Sequence, residues 1–146
     1  MDAAATRPLR LAVLRPGLPE STALYLGDDA AASVHFGAYA DDGGVGREPV
    51  GVASLYAEPR PGGPAPAWRL RGMATAPTHR RRGVGRALLD ACVEHAAGEG
   101  GAEVWCNARL GAVPFYEAAG FEVVSGEFDI AGIGPHHVMR LLLDRQ

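Results

Sequence analysis

The chain has no lysine; all 14 of its basic residues are arginine. That absence excludes a Walker phosphate loop, whose Gly-x-x-x-x-Gly-Lys-Ser/Thr pattern needs the lysine to reach the terminal phosphates. Cysteine is scarce, with only Cys92 and Cys106 present. One falls on an expected helix and one on an expected strand, and no His/Cys cluster has metal-ligand spacing. They read as two reduced, mostly buried thiols, with no metal site. No apolar run approaches the roughly 18 residues needed to span a bilayer, so no membrane association is expected. Met1 to Arg7 lack the basic start and apolar core of a signal peptide, which predicts a cytoplasmic protein. An excess of positive charge is missing too. Net charge of −3 and a pI near 5.9 argue against a general nucleic-acid binder.

What is present suits one globular unit. At 146 residues and 47% hydrophobic, the chain can bury one sizeable core, and a single domain over residues 1–146 is expected. Leu9 to Leu14 alternates as a strand, and Pro19 to Leu26 has room for one short helix. Strands follow at Ser33–Ala40, Val50–Ala57 and Trp68–Thr75, with a turn at Asp41–Gly44 and a Pro/Gly-rich loop from Pro59 to Pro66. Val84, Leu88, Ala91, Cys92 and His95 recur at helical spacing, predicting a helix over Gly83–Ala97 stopped by Gly98, Gly100 and Gly101. Ala102–Ala108 reads as a strand. Pro114 opens a short helix that Gly120 ends, and strands at Glu122–Phe128 and His137–Leu143 close the chain. The order predicts a mixed α/β sheet of seven strands with helices packed on it.

The densest chemical signal is Arg80-Arg81-Arg82-Gly83-Val84-Gly85-Arg86. Four of the 14 arginines lie within these seven positions, on an otherwise acidic chain. Glycine lets backbone approach a ligand closely. The first N–H groups of a helix lack intrahelical partners, and the helix dipole and arginines favour an anion. A phosphate or pyrophosphate site is implied. A dinucleotide fingerprint is excluded, because its third glycine position is Leu88.

Read as Arg-x-x-Gly-x-Gly (Arg80, Gly83, Gly85), this segment resembles the pyrophosphate loop of the GNAT superfamily of acetyl-CoA-dependent N-acetyltransferases. Downstream, Trp105-Cys106-Asn107-Ala108-Arg109, then Phe115-Tyr116 and Gly120-Phe121, resemble that superfamily's second motif. The resemblance covers about residues 50–143 well; residues 1–49 look diverged or trimmed. It implies a mostly antiparallel sheet of about seven strands with helices on both faces, acetyl-CoA as cosubstrate and no metal. It further implies a small-molecule or peptide amine as acceptor, and a monomer or homodimer. The coenzyme would lie against Met73, Ala74, Thr75 and the turn Arg80, Arg81, Arg82, Gly83, Val84, Gly85 and Arg86. Met73 N–H is the implied oxyanion donor and Tyr116 the implied general acid. Asn107 would contact the pantetheine amide or a water, and Phe115 would point to the core. Ile130 to His137 resembles the Ile-Gly-Pro-His segment of some bacterial members and would place His136 and His137 beside the acceptor. Tyr25 to His35 would face it too, with Asp28 and Asp29 drawing an ammonium group. Glu58, Glu103, His136 and His137 are candidate bases, none of them singled out, since Arg69 and Arg71 occupy the strand that often carries a carboxylate. The alternative is a coenzyme A-binding sensor without turnover; intact Tyr116 and Asn107 favour the enzyme.

Overall fold

The computed structural model describes residues 1–40 and 48–143, so the expected turn at Asp41–Gly44 lies outside the described residues. The N-terminal segment departs from expectation: no strand forms at Leu9–Leu14. A 3₁₀ turn (Ala3–Thr6), helix α1 (Arg7–Leu9) and a π-type turn (Arg10–Leu14) succeed one another without a break. Asp2 caps this run by accepting from Ala5 N–H at 3.0 Å, and Pro8 sits in the first helical turn, where its missing N–H costs nothing. Ala3, Thr6 and Arg10 are its buried residues, a helical spacing in which the third member is charged.

Seven strands follow: β1 (Val34–Ala38), β2 (Gly51–Ala57), β3 (Ala67–Thr75), β4 (Glu103–Arg109), β5 (Glu122–Val123), β6 (Phe128–Ile130) and β7 (Gly134–Leu142). Hydrogen bonding orders them β1-β2-β3-β4-β7-β5, with β6 also on β7. β3 and β4 are parallel; β1 with β2, and β4, β5 and β6 with β7, are antiparallel. The expected strand Glu122–Phe128 is two strands, which meet β7 at Met139–Arg140 and at Gly134–His136. Between them the Ser125 hydroxyl takes the Val138 N–H at 2.8 Å, a side chain replacing the ladder.

The chain divides into two compact units. The first is Met1–Tyr56 with Leu70–Glu94; the second is Ala57–Arg69 with His95–Gln146. In the first, helix α2 (Val84–Gly98) starts against β2. A Cβ added at Gly51 would meet Val84 Cγ1 at 2.5 Å, so only glycine allows that approach. Leu88, Leu89 and Cys92 are buried. In the second unit Val104, Trp105, Cys106, Phe121 and Met139 are buried. Helices α2 and α3 (Val113–Ala118) end alike. Gly101 N–H bonds Ala96 O and Gly100 N–H bonds Ala97 O; Phe121 and Gly120 repeat the pattern on Tyr116 and Glu117. Among the described residues, no helix is long and apolar enough to cross a membrane.

Candidate functional site

In the first unit, β3 leads into the arginine turn. Gly72 interrupts β3 with φ +66°, the mark of a bulge, and a Cβ there would stand 3.0 Å from both Arg10 Nε and Tyr25. Met73, Ala74 and Thr75 follow at once, with Ala74 buried and the other two half-buried. After a 3₁₀ turn (Pro77–His79), Arg81 at φ +63° and Gly83 at φ +79° fold the chain back into α2. Glycine adopts that region freely. An arginine held there stores on the order of 1–3 kcal/mol of strain, of the kind that collects at ligand sites. Arg80, Arg81, Arg82 and Gly83 are exposed. Ala87 N–H bonds Gly83 O at 3.0 Å, so the N–H groups of Val84, Gly85 and Arg86 precede the first such bond of α2. Arg86 also pairs with Asp90 at 3.0 Å, both exposed, one turn apart.

The same unit buries an ionic cluster that the sequence reading missed. Arg10, fully buried, donates to Asp28 through two N–H groups (2.8 and 3.0 Å), and to Ser54 Oγ, Tyr56 OH and Ala23 O. Tyr56 OH and Tyr25 N–H donate to Asp28 as well. His35 Nε2 donates to Asp28 O at 2.9 Å, leaving Nδ1 to accept from Ser54 at 2.6 Å. Asp28 therefore does not draw an ammonium, contrary to expectation; its carboxylate is spent on Arg10. Only Asp29 is exposed. Tyr25 is flanked by the guanidinium groups of Arg10 (4.0 Å) and Arg71 (4.2 Å).

Burial raises the Asp28 pKa, but the hydrogen bonds from Arg10, Tyr56 and Tyr25 outweigh it and hold the group at about 2. Burial and Asp28 together push the Tyr56 phenol up to about 12. A depressed carboxylate stabilises the fold above its ordinary pKa and ceases to as pH falls through the depressed one. The protein is thus expected to lose about 2 kcal/mol between pH 4 and pH 2. Urea midpoints of wild type and Asp28→Asn over that range check this: the wild-type decline should be steeper.

In the second unit, Tyr116 is buried on the Cys106 side of β4. Its ring lies 5.1 Å from Phe115 and 5.4 Å from Phe121, and its hydroxyl is the hydrogen-bond partner of the Cys106 sulfur. The short helix thus seats Tyr116, not Phe115, most deeply; Phe115 is half-buried. Burial raises both thiols, Cys92 and Cys106, to about 12. Asn107, next along β4, points to the opposite face. There it lines a cavity of about 460 Å³ with Glu58, Arg60, Arg69, Trp105, Ser125 and Val138. Trp105 Nε1 donates to Glu58 O at 2.7 Å, Arg69 pairs with Glu58 at 3.1 Å, and the Arg69 guanidinium lies 5.0 Å over the Trp105 ring. Glu103 is fully buried between Arg60 (2.7 Å) and Arg140 (3.8 Å), which removes it from the candidate bases. His136 is buried; its Nδ1 donates to Gly134 O, and its ring stacks on Phe128 at 6.0 Å. His137 Nδ1 donates to Ser125 O at 3.1 Å. Neither histidine lines the cavity; Glu58 does.

This fold and these motifs define an acyltransferase. A model of the acetyltransferase (GNAT) family matches residues 7–121. The chain belongs to that family. It is 35% identical over 136 residues to the Uncharacterized N-acetyltransferase YitI of Bacillus subtilis (strain 168), covering 92% of this chain and 87% of the other. A GCN5-related N-acetyltransferase from Kribbella flavida is 27% identical with a TM-score of 0.68, over 97% and 90% of the two chains. An aminoglycoside 6'-N-acetyltransferase complexed with coenzyme A shares the fold at 15% identity, with a TM-score of 0.75 over 99% of this chain and 92% of that one.

Proposed function

We propose that this acetyltransferase moves an acetyl group from acetyl-CoA directly to a primary amine. The observation that carries the reading is the Arg80–Arg86 turn. Its left-handed Arg81 and Gly83 set a basic loop at the N-terminus of the fifteen-residue α2. Unpaired helix N–H groups beside four arginines favour an anion such as the coenzyme's pyrophosphate, which supports this reading. Coenzyme A in the aminoglycoside enzyme of the same fold supports acetyl-CoA here. Met73, Ala74 and Thr75 would pair along the pantetheine arm, with Met73 N–H as the donor to the developing oxyanion. Such a donor is worth about 2.7–4 kcal/mol. Asn107 would hold the pantetheine amide or a water. Tyr116 would protonate the departing thiolate, since a phenol keeps its proton at neutral pH.

Direct transfer is favoured over an acyl-enzyme. With both thiols raised to about 12, neither cysteine offers a thiolate to attack the thioester. The amine nitrogen then adds to the thioester carbonyl, the C–S bond breaks as that adduct collapses, the thiolate takes the Tyr116 proton, and the amine's proton leaves to water.

Calorimetric titration with acetyl-CoA tests the cradle. Gly85→Val should abolish measurable binding, because a β-branched side chain fills the space the pyrophosphate needs. Arg80→Ala should weaken binding about 10- to 150-fold, the value of one charge-assisted contact. Unchanged affinity in a folded Gly85→Val protein removes the basis of the assignment.

A further inference from the structure

We propose that the acceptor is a zwitterion of amino-acid size, its carboxylate held by Arg69 and its ammonium by Glu58 in the Trp105–Asn107 cavity. The inference rests on the acetyl-transfer reading above and adds the class of amine. The cavity, about 460 Å³, falls within the range of small-molecule sites. It lies wholly within the unit of residues 57–69 and 95–143, and Asn107 in its wall already has a place in that reading.

The charged side chains at its wall are Arg60, Arg69 and Glu58. Arg60 is committed through Nε to the buried Glu103, and Ser125 spends its hydroxyl on Gly126 O and Val138 N–H. That leaves Arg69 and Glu58. The Arg69 guanidinium carbon lies 5.0 Å over the Trp105 ring, and one terminal nitrogen sits on Glu58. Its Nε is shielded from solvent and has no hydrogen-bond partner. A planar guanidinium suits a carboxylate, which takes two parallel hydrogen bonds. Glu58 is about half exposed and is, among the described residues, the only acidic one lining the cavity, so it is the partner for an ammonium. A plain diamine would set a second cation against the two arginines of the wall, so the wall selects against it.

Matched pairs test this: lysine against cadaverine, β-alanine against ethylamine, and 4-aminobutyrate against propylamine, followed by thiol release and by calorimetric titration into the coenzyme A complex. The carboxylate-bearing member should have the higher kcat/KM by about 10- to 150-fold, the value of one charge-assisted hydrogen bond. Arg69→Gln should raise its KM by a similar factor and shrink the difference within each pair, while leaving the acetyl-CoA Kd unchanged. Arg69→Lys should not rescue, because an ammonium neither stacks nor forks. Equal kcat/KM within every pair, or preference for the plain amine, overturns the proposal. If acetyl-CoA binds but no amine of either kind is acetylated, the acetyl-transfer reading fails by itself. Titration then decides the cavity: zwitterion binding that Arg69→Gln abolishes supports it, and no binding by wild type overturns it.

Discussion

Tyr116→Phe lowers kcat by roughly 10²–10⁴-fold and leaves the acetyl-CoA dissociation constant unchanged, the expected loss for removing a general acid. The substitution keeps the ring, and with it the contacts to Phe115 and Phe121. It deletes one proton donor. The hydrogen bond to Cys106 is lost as well, but a neutral bond of that kind is worth about 1 kcal/mol. A hundredfold fall in rate corresponds to about 2.7 kcal/mol of barrier, so stability alone does not account for it. Cys106→Ala separates the two effects. It removes the same hydrogen bond yet leaves the phenol, and kcat should change by less than about threefold. Wild-type turnover by Tyr116→Phe across pH 6–9 would return Tyr116 to a packing role.

The parts of this site that the sequence displayed are those whose physics is local. Arg80 to Arg86 has its glycines, its arginines and the start of α2 within one short segment, so the turn could be read before any contact was known. Gly120 after the Phe-Tyr helix is a local stop in the same sense. Arg10 is the opposite case. Its partners lie 13 to 46 positions away. An arginine in the third place of the stripe Ala3, Thr6, Arg10 hides a helical period, so the alternation of Leu9, Leu11 and Val13 reads as a strand. The cap from Asp2 and the alanines after it were the available counter-signal. The cavity was hidden for a similar reason. Glu58, Arg69 and Trp105 are each unremarkable in the sequence and meet only because Arg69 pairs opposite Trp105 in the β3–β4 ladder. Gly72 could have been noticed as a glycine inside a strand pattern, a standard sign of a bulge.

Asp28→Ala is expected to destabilise the protein by about 3–5 kcal/mol, the cost of leaving one member of a buried ion pair without its counter-charge. Arg10 is fully buried, and without Asp28 its acceptors are Ser54 Oγ, Tyr56 OH and Ala23 O, none of them charged. Tyr25 N–H and Tyr56 OH lose their acceptor at the same time. For a chain of this size the melting temperature should fall by about 10 °C or more. Asp29→Ala, one position on and exposed, is the control and should stay within about 0.5 kcal/mol of wild type. The pair itself need not be a net source of stability, because desolvating two charges offsets most of their attraction. Arg10→Met combined with Asp28→Leu should therefore recover roughly half of the lost stability or more. It should not recover kcat, since Arg10 Nε lies where a Gly72 Cβ would be crowded and so backs the bulge that leads into Met73. If the double variant melts as low as Asp28→Ala, an unpaired charge is not the cause. If it also keeps wild-type kcat, the buried cluster has no part in holding β3 for catalysis.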